Sequence, residues 1–204
     1  QRRLESLQAI DEAVAAIVNT VESLGLSNDT IIIFTSDNGM NLSDHRYIQK
    51  LLAYETSIRV PLVVRYPWLA PSPRVEQNLA VNIDIPVTLA ELAGTSFGGN
   101  VNGMSLGETI KTRAPNGRTD FLLEFLTVAF GAPPTHRGVR TADGWKYIFS
   151  DGIFGLPEYE FEELYDLNVD PWELDNLLVT ASTSLAVQSK AAELRSRLSQ
   201  LVQQ

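Results

Sequence analysis

Apolar residues recur at three- and four-residue steps from Leu4 through Leu7, Ile10, Val14, Ile17 and Val21 to Leu24. That spacing predicts an amphipathic helix, and Gly25 is a natural stop for it. Ser27-Asn28-Asp29 reads as a turn. The next run, residues 30–36, is β-branched and apolar on both faces, the pattern of a strand at the buried centre of a parallel sheet covered by helices. A second such run is Val60 to Arg65, closed by Tyr66-Pro67. Asp84-Ile85-Pro86 and the apolar pattern to Ala93 read as a helix capped by Asp84, with Pro86 in its first turn and Gly94 at its end.

The texture changes after residues 95–103, a Gly-, Asn- and Ser-rich loop, and a short helix expected over Ser105 to Ile110. Pro115, Asn116 and Gly117 mark a subdomain boundary, dividing the chain into residues 1–115 and 116–204. Strand-like pieces follow at Phe121–Phe125, Gly138–Thr141, Trp145–Phe149 and Glu163–Leu167. No long helix separates the last three, so antiparallel pairing is expected. Asp170-Pro171-Trp172-Glu173 reads as a helix start. A closing helix from about Ser182 places Leu185, Ala191, Leu194, Leu198 and Leu201 on one side.

The 204 residues are 44% hydrophobic and 20% charged, a globular balance. The formal net charge of −9 argues against a nucleic-acid partner, whose phosphates are gripped by clustered Lys and Arg. No apolar run approaches the roughly 20 residues that span a bilayer. With no cysteine, disulfides, thiolate metal sites and a cysteine-derived nucleophile are excluded within this chain. It opens on Gln1-Arg2-Arg3 and enters a helix at once, the start expected of a piece of a longer polypeptide. The compartment therefore stays open.

The strongest local signal is Thr35-Ser36-Asp37-Asn38-Gly39 at the end of the first strand, where doubly wound sheets bind ligands. Asp37 and Asn38 present oxygens suited to Ca²⁺ or Mg²⁺. Gly39 lets the chain turn behind them. Taken alone, Asp-Asn-Gly is also ordinary turn chemistry. His45 and Lys50 follow within one loop, and then Tyr54-Glu55-Thr56-Ser57-Ile58-Arg59-Val60-Pro61. A loop lysine is usually solvated. Glu55 and Arg59, four apart, are expected to pair structurally on a helical turn. His136, Asp166 and Asp170 carry no expected metal role.

This series resembles the sulfatase family of the alkaline-phosphatase-like superfamily. The resemblance continues through Asn82-Ile83-Asp84-Ile85-Pro86, Arg137-Gly138-Val139-Arg140-Thr141 with Trp145-Lys146-Tyr147-Ile148, and Glu163-Leu164-Tyr165-Asp166-Leu167 with Asp170-Pro171-Trp172-Glu173. It implies an α/β fold: part of a doubly wound sheet, then a small antiparallel α+β subdomain. It also implies sulfate-ester hydrolysis, with Asp37 and Asn38 as two ligands of a Ca²⁺, or Mg²⁺ in its place. Lys50 becomes the cation that meets the charge developing on the transferred group, and His45 a donor to the substrate or a holder of the loop. The family's formylglycine arises in a Cys/Ser-x-Pro-x-Arg motif that this chain lacks, so the nucleophile is expected upstream and the chain alone is expected to be inert. The loop departs from the commoner family pattern at residues 40–44 and at Arg46.

Two other readings stand beside this one. A phosphodiesterase or phosphonate hydrolase of the same superfamily would commonly show Asp-His where this chain has Asp37-Asn38. A non-catalytic binding protein could have kept the fold. The substrate, whether sugar sulfate or aryl sulfate, and the oligomeric state are left open.

Overall fold

The computed structural model describes residues 2–127, 133–152 and 157–203. Helix α1 spans Arg2–Ser23. It ends where Gly25 takes a left-handed backbone (φ 70°). There Gly25 N donates to Glu22 O and Leu26 N to Val21 O, a paired closure of the last carbonyls that favours glycine. Val14, Val18 and Val21 are half-buried, while Leu4, Leu7, Ile10 and Ile17 face outward.

Strand β1 (Ile32–Thr35) is not the buried central strand of a parallel sheet. It pairs antiparallel with β4 (Leu62–Arg65) in a two-stranded ribbon, Ile32 opposite Arg65 and Thr35 opposite Leu62. Phe34 is 37% exposed and Val63 57%. The pattern announced two apolar faces correctly. Such a pattern is silent about direction, and the chain returns from the site loop antiparallel to β1. Between them lie a small hairpin, β2 (Asn41–Leu42) with β3 (Ile48–Gln49), and the single turn α2 (Glu55–Ile58).

Helix α3 runs Asp84–Leu92 and α4 Gly107–Thr112. Asp84 does not cap its own helix. A cap would bond the amide two or three residues on, and Pro86 has none. The fully buried carboxylate instead accepts from Val81 N (2.9 Å) and Met104 N (2.8 Å) and pairs with Arg118, tying the loop at 102–104 to the helix.

The second half is an antiparallel meander in sequence order: β5 (Asp120–Phe125), β6 (His136–Thr141), β7 (Trp145–Ser150) and β8 (Phe161–Asp166). Its alternation sends Val139, Tyr147 and Leu164 to one face, where Ala191, Leu194 and Leu198 of α6 (Leu185–Val202) close over them. Leu185 leaves this stripe, 82% exposed at the helix tip. The other face carries Ile148 and Tyr165 and packs on Ala53 and Tyr54 from the segment before α2. The meander is therefore the platform on which the site loop rests. Residues 170–173 form a turn rather than a helix start. Helix α5 (Leu177–Thr180) begins only there, capped by Asn176, whose Oδ1 accepts from Leu178 N (3.0 Å).

Candidate active site

The loop leaving β1 is fixed by its own short polar side chains. Ser36 Oγ donates to Asn38 O (2.9 Å), and Asn38 Nδ2 donates to Gly39 O (2.8 Å). This orients the amide so that Asn38 Oδ1 accepts from Lys50 Nζ at 2.9 Å. Asp37 beside it is exposed. Gly39 has no left-handed backbone, so it is not there for a turn. A Cβ at this position would overlap the carbonyl oxygen of Thr56. The glycine lets the loop lie against α2, with Gly39 N donating to Ser57 O at 2.7 Å. Asn41 completes the seam. Wholly buried, it donates from Nδ2 to Ser57 Oγ (2.7 Å) and accepts from Thr56 Oγ1.

The hairpin β2–β3 turns through His45, itself at φ 51° in the left-handed region. The imidazole lies flat on Tyr54, ring centroids 3.7 Å apart and planes 9° from parallel. The hydrogen bonds of Asn38 and Lys50 do not involve it. The Tyr54 hydroxyl donates to Glu163 Oε1 (2.8 Å), and Tyr165 donates to the same oxygen (2.7 Å). Burial first, then the Glu163 charge, pushes both phenols above their ordinary value, so both remain neutral donors.

Glu55 does not pair with Arg59. Its carboxylate lies 2.7 Å from Lys146 Nζ, and its backbone N–H donates to Glu173 Oε2 (2.6 Å). Lys146, with no exposed surface, also donates to Glu173 Oε1 (2.7 Å) and Ala53 O (2.9 Å). Glu173 reaches inward because its own backbone is left-handed, φ 57°. Burial raises its pKa, and the Lys146 charge opposes that rise. The contacts of this cluster cannot be read from the pattern: Lys146 and Glu163 sit in strands where charge normally marks the solvent face. His136 is buried, Nδ1 at 3.0 Å from Pro134 O, with its ring on Phe125 and its pKa lowered by desolvation.

The side chains of Asp37 and Asn38 suit a hard cation in kind, one an exposed carboxylate and the other an amide whose Oδ1 also accepts from Lys50 Nζ. In number the set is partial, because Ca²⁺ takes 6–8 oxygens. Among the described residues, no three His, Cys, Asp or Glu side chains gather as a metal site would require.

Most of the chain is similar to known proteins. Residues 43–204 match the family described as N-sulphoglucosamine sulphohydrolase, C-terminal. An N-acetylglucosamine-6-O-sulfatase of Bacteroides thetaiotaomicron is 29% identical over 178 residues, 85% of this chain and 31% of the relative. A solved structure of a protein in complex with its substrate D-glucosamine-2-N,6-O-disulfate superposes with a TM-score of 0.82 at 27% identity, over 95% of this chain and 38% of the other. A phosphonate monoester hydrolase of Agrobacterium radiobacter superposes at 0.71 and 26% identity, over 92% and 39%. The chain thus spans about a third of the length of its curated relative. With the family match covering most of its residues, the chain belongs to the C-terminal domain family of the sulfatases.

Proposed function

We propose that this chain serves sulfate-ester hydrolysis, supplying part of a cation site and one fixed ammonium to an active site whose nucleophile is not among its residues. The observation that carries the reading is the Lys50 Nζ to Asn38 Oδ1 contact, 2.9 Å, just beyond the end of β1. Sulfuryl transfer moves negative charge onto the leaving oxygen. An ammonium held in place by an amide meets that charge without reorganising. Asp37 and Asn38 would hold the Ca²⁺, or Mg²⁺, that polarises a sulfate oxygen. His45 is assigned an orienting part at the rim, since its ring face is given to Tyr54. Residues 1–115 carry these groups, and residues 116–204 form the supporting subdomain.

Formylglycine, the nucleophile that the family resemblance implies, would come from sequence outside this chain, which has no cysteine. Sulfated sugars are the favoured substrate class, given the glucosamine disulfate bound by the superposable protein. The likeness to a phosphonate monoester hydrolase supports a second reading, phosphonate or phosphodiester cleavage. The test is to express the complete gene product that contains this chain and assay glucosamine 6-sulfate, an aryl sulfate and a phenyl phosphonate monoester. Sulfate release that is lost in Lys50→Ala and Asn38→Ala supports the proposal. Turnover of the phosphonate alone would replace it with the second reading.

A further inference from the structure

Apart from the Asn38–Lys50 site, a pocket of about 290 Å³ opens between residues 52–54 and the ends of β6, β7 and β8. Tyr54, Tyr159, Phe161, His136 and Ser150 line it together with Glu163. Glu163 is only 8% exposed, and its hydrogen-bond partners are the hydroxyls of Tyr54 and Tyr165. These donors solvate the carboxylate without neutralising it. Among the described residues, no Lys, Arg or His forms an ion pair with Glu163. Residues 128–132 and 153–156 contain nothing basic. The nearby imidazole, His136, is held toward its neutral form by burial. The pocket therefore combines a carboxylate that has no ion-pair partner among the described residues with aromatic walls.

Three classes of occupant can be weighed on that chemistry. A sulfate or other anion meets like charge and no basic group. A purely apolar occupant would strip water from the carboxylate and return nothing, which is costly. A cation gains the carboxylate and is tolerated by aromatic walls, which favour cations over anions. We propose that this pocket binds an organic ammonium group, either a protonated amine on a sugar or a quaternary ammonium, with Glu163 as counter-charge and Tyr54, Tyr159 and Phe161 as walls. The inference does not depend on the sulfatase reading. Where both hold, the substrate carries an ammonium group away from its sulfate.

The test uses the complete gene product that contains this chain, at constant ionic strength, and titrates two matched pairs by calorimetry: choline against its neutral isostere 3,3-dimethyl-1-butanol, and glucosamine against glucose. Saturable binding of at least one cation, about tenfold or more tighter than its neutral counterpart, is expected. The tighter of choline and glucosamine identifies the source of the ammonium. Glu163→Gln, which keeps an acceptor for the two tyrosines, should abolish the preference. Phe161→Leu, a substitution at a ring open to solvent, should weaken binding several-fold. Equal binding of cation and neutral partner, unchanged binding in Glu163→Gln, or no saturable binding overturns the proposal. Should Glu163→Gln fail to fold, the wild-type ratio and Phe161→Leu decide.

Discussion

Lys146 Nζ lies 2.7 Å from Glu173 Oε1, and neither side chain is open to solvent. The same ammonium reaches Glu55 Oε1 at 2.7 Å. Removing it strands the buried Glu173 carboxylate and leaves Glu55 with Arg140 Nε, 3.9 Å away. Lys146→Met is expected to cost about 3–5 kcal/mol in urea unfolding, because an uncompensated buried charge is far dearer than the pair was worth. Glu173→Gln, which keeps an acceptor for the ammonium, should cost less. A Lys146→Met cost below about 1 kcal/mol would mean the cluster is hydrated rather than sealed.

Gly39 should be the least replaceable small residue of the site. Gly39→Ala is expected to cost about 1–3 kcal/mol, because the added methyl must push the loop off Thr56. The same shift carries Asn38 away from Lys50. Gly98→Ala serves as control: a Cβ there meets nothing within 4 Å, and the change should stay within about 0.5 kcal/mol. Equal effects at the two positions in thermal unfolding would remove the close approach as the reason for Gly39.

His136 gives the fold a pH dependence of definite sign. Its folded pKa is lowered by burial, so the unfolded chain binds more protons as pH drops through the ordinary histidine value of about 6.5, and stability is lost as pH is lowered. The slope cannot exceed about 1.4 kcal/mol per pH unit for one group. His136→Gln should flatten it. Glu173 runs the other way: its folded pKa is raised, so its contribution is fully present below the unfolded carboxylate value and is lost as pH rises through the folded one. Urea midpoints between pH 5 and 8, with and without each substitution, separate the two.

Lys50 should matter to chemistry and hardly at all to stability. Its side chain is exposed and its one hydrogen bond is to Asn38. Lys50→Ala is expected to leave urea stability within about 0.5 kcal/mol. Sulfate release by the complete gene product should drop by about 100- to 1,000-fold. A stability loss that accounts for the lost activity would reassign the residue to the scaffold.

The meander and its helix were legible in the sequence because Val139, Tyr147 and Leu164 alternate with outward residues, and Ala191, Leu194 and Leu198 keep helical spacing. The direction of β1 was not, since a strand apolar on both faces carries no mark of how its neighbour runs. Asp37, Asn38, His45 and Lys50 stood out by their order along the chain, whereas Asn41 passed as one more polar loop residue. Lys146, Glu163 and Glu173 were illegible for a different reason. A charge in a strand or a turn reads as solvent-facing until its partner is found, and Glu55 and Tyr54 lie roughly a hundred residues away. The Glu55–Arg59 pairing failed on the same ground: helical spacing permits a local pair, and the buried ammonium offers a better one.

That separation has a temporal side. Glu55 emerges from the ribosome 118 residues before Glu173, the residue that receives its N–H. At about 5–20 residues per second, the loop bearing Asn38 and Lys50 waits on the order of 6–24 seconds during synthesis before its clamp exists. Throughout that interval α2 is a single turn of four residues held by its seam with Gly39 and Asn41 but not by Glu173, far below the length at which a helix persists by itself. The hairpin at 41–49 and the half-made β1–β4 ribbon are then open to proteases and to wrong strand partners. Slow translation between residues 60 and 146 would lengthen that exposure, and a chaperone that shields apolar ribbon edges would be most useful there.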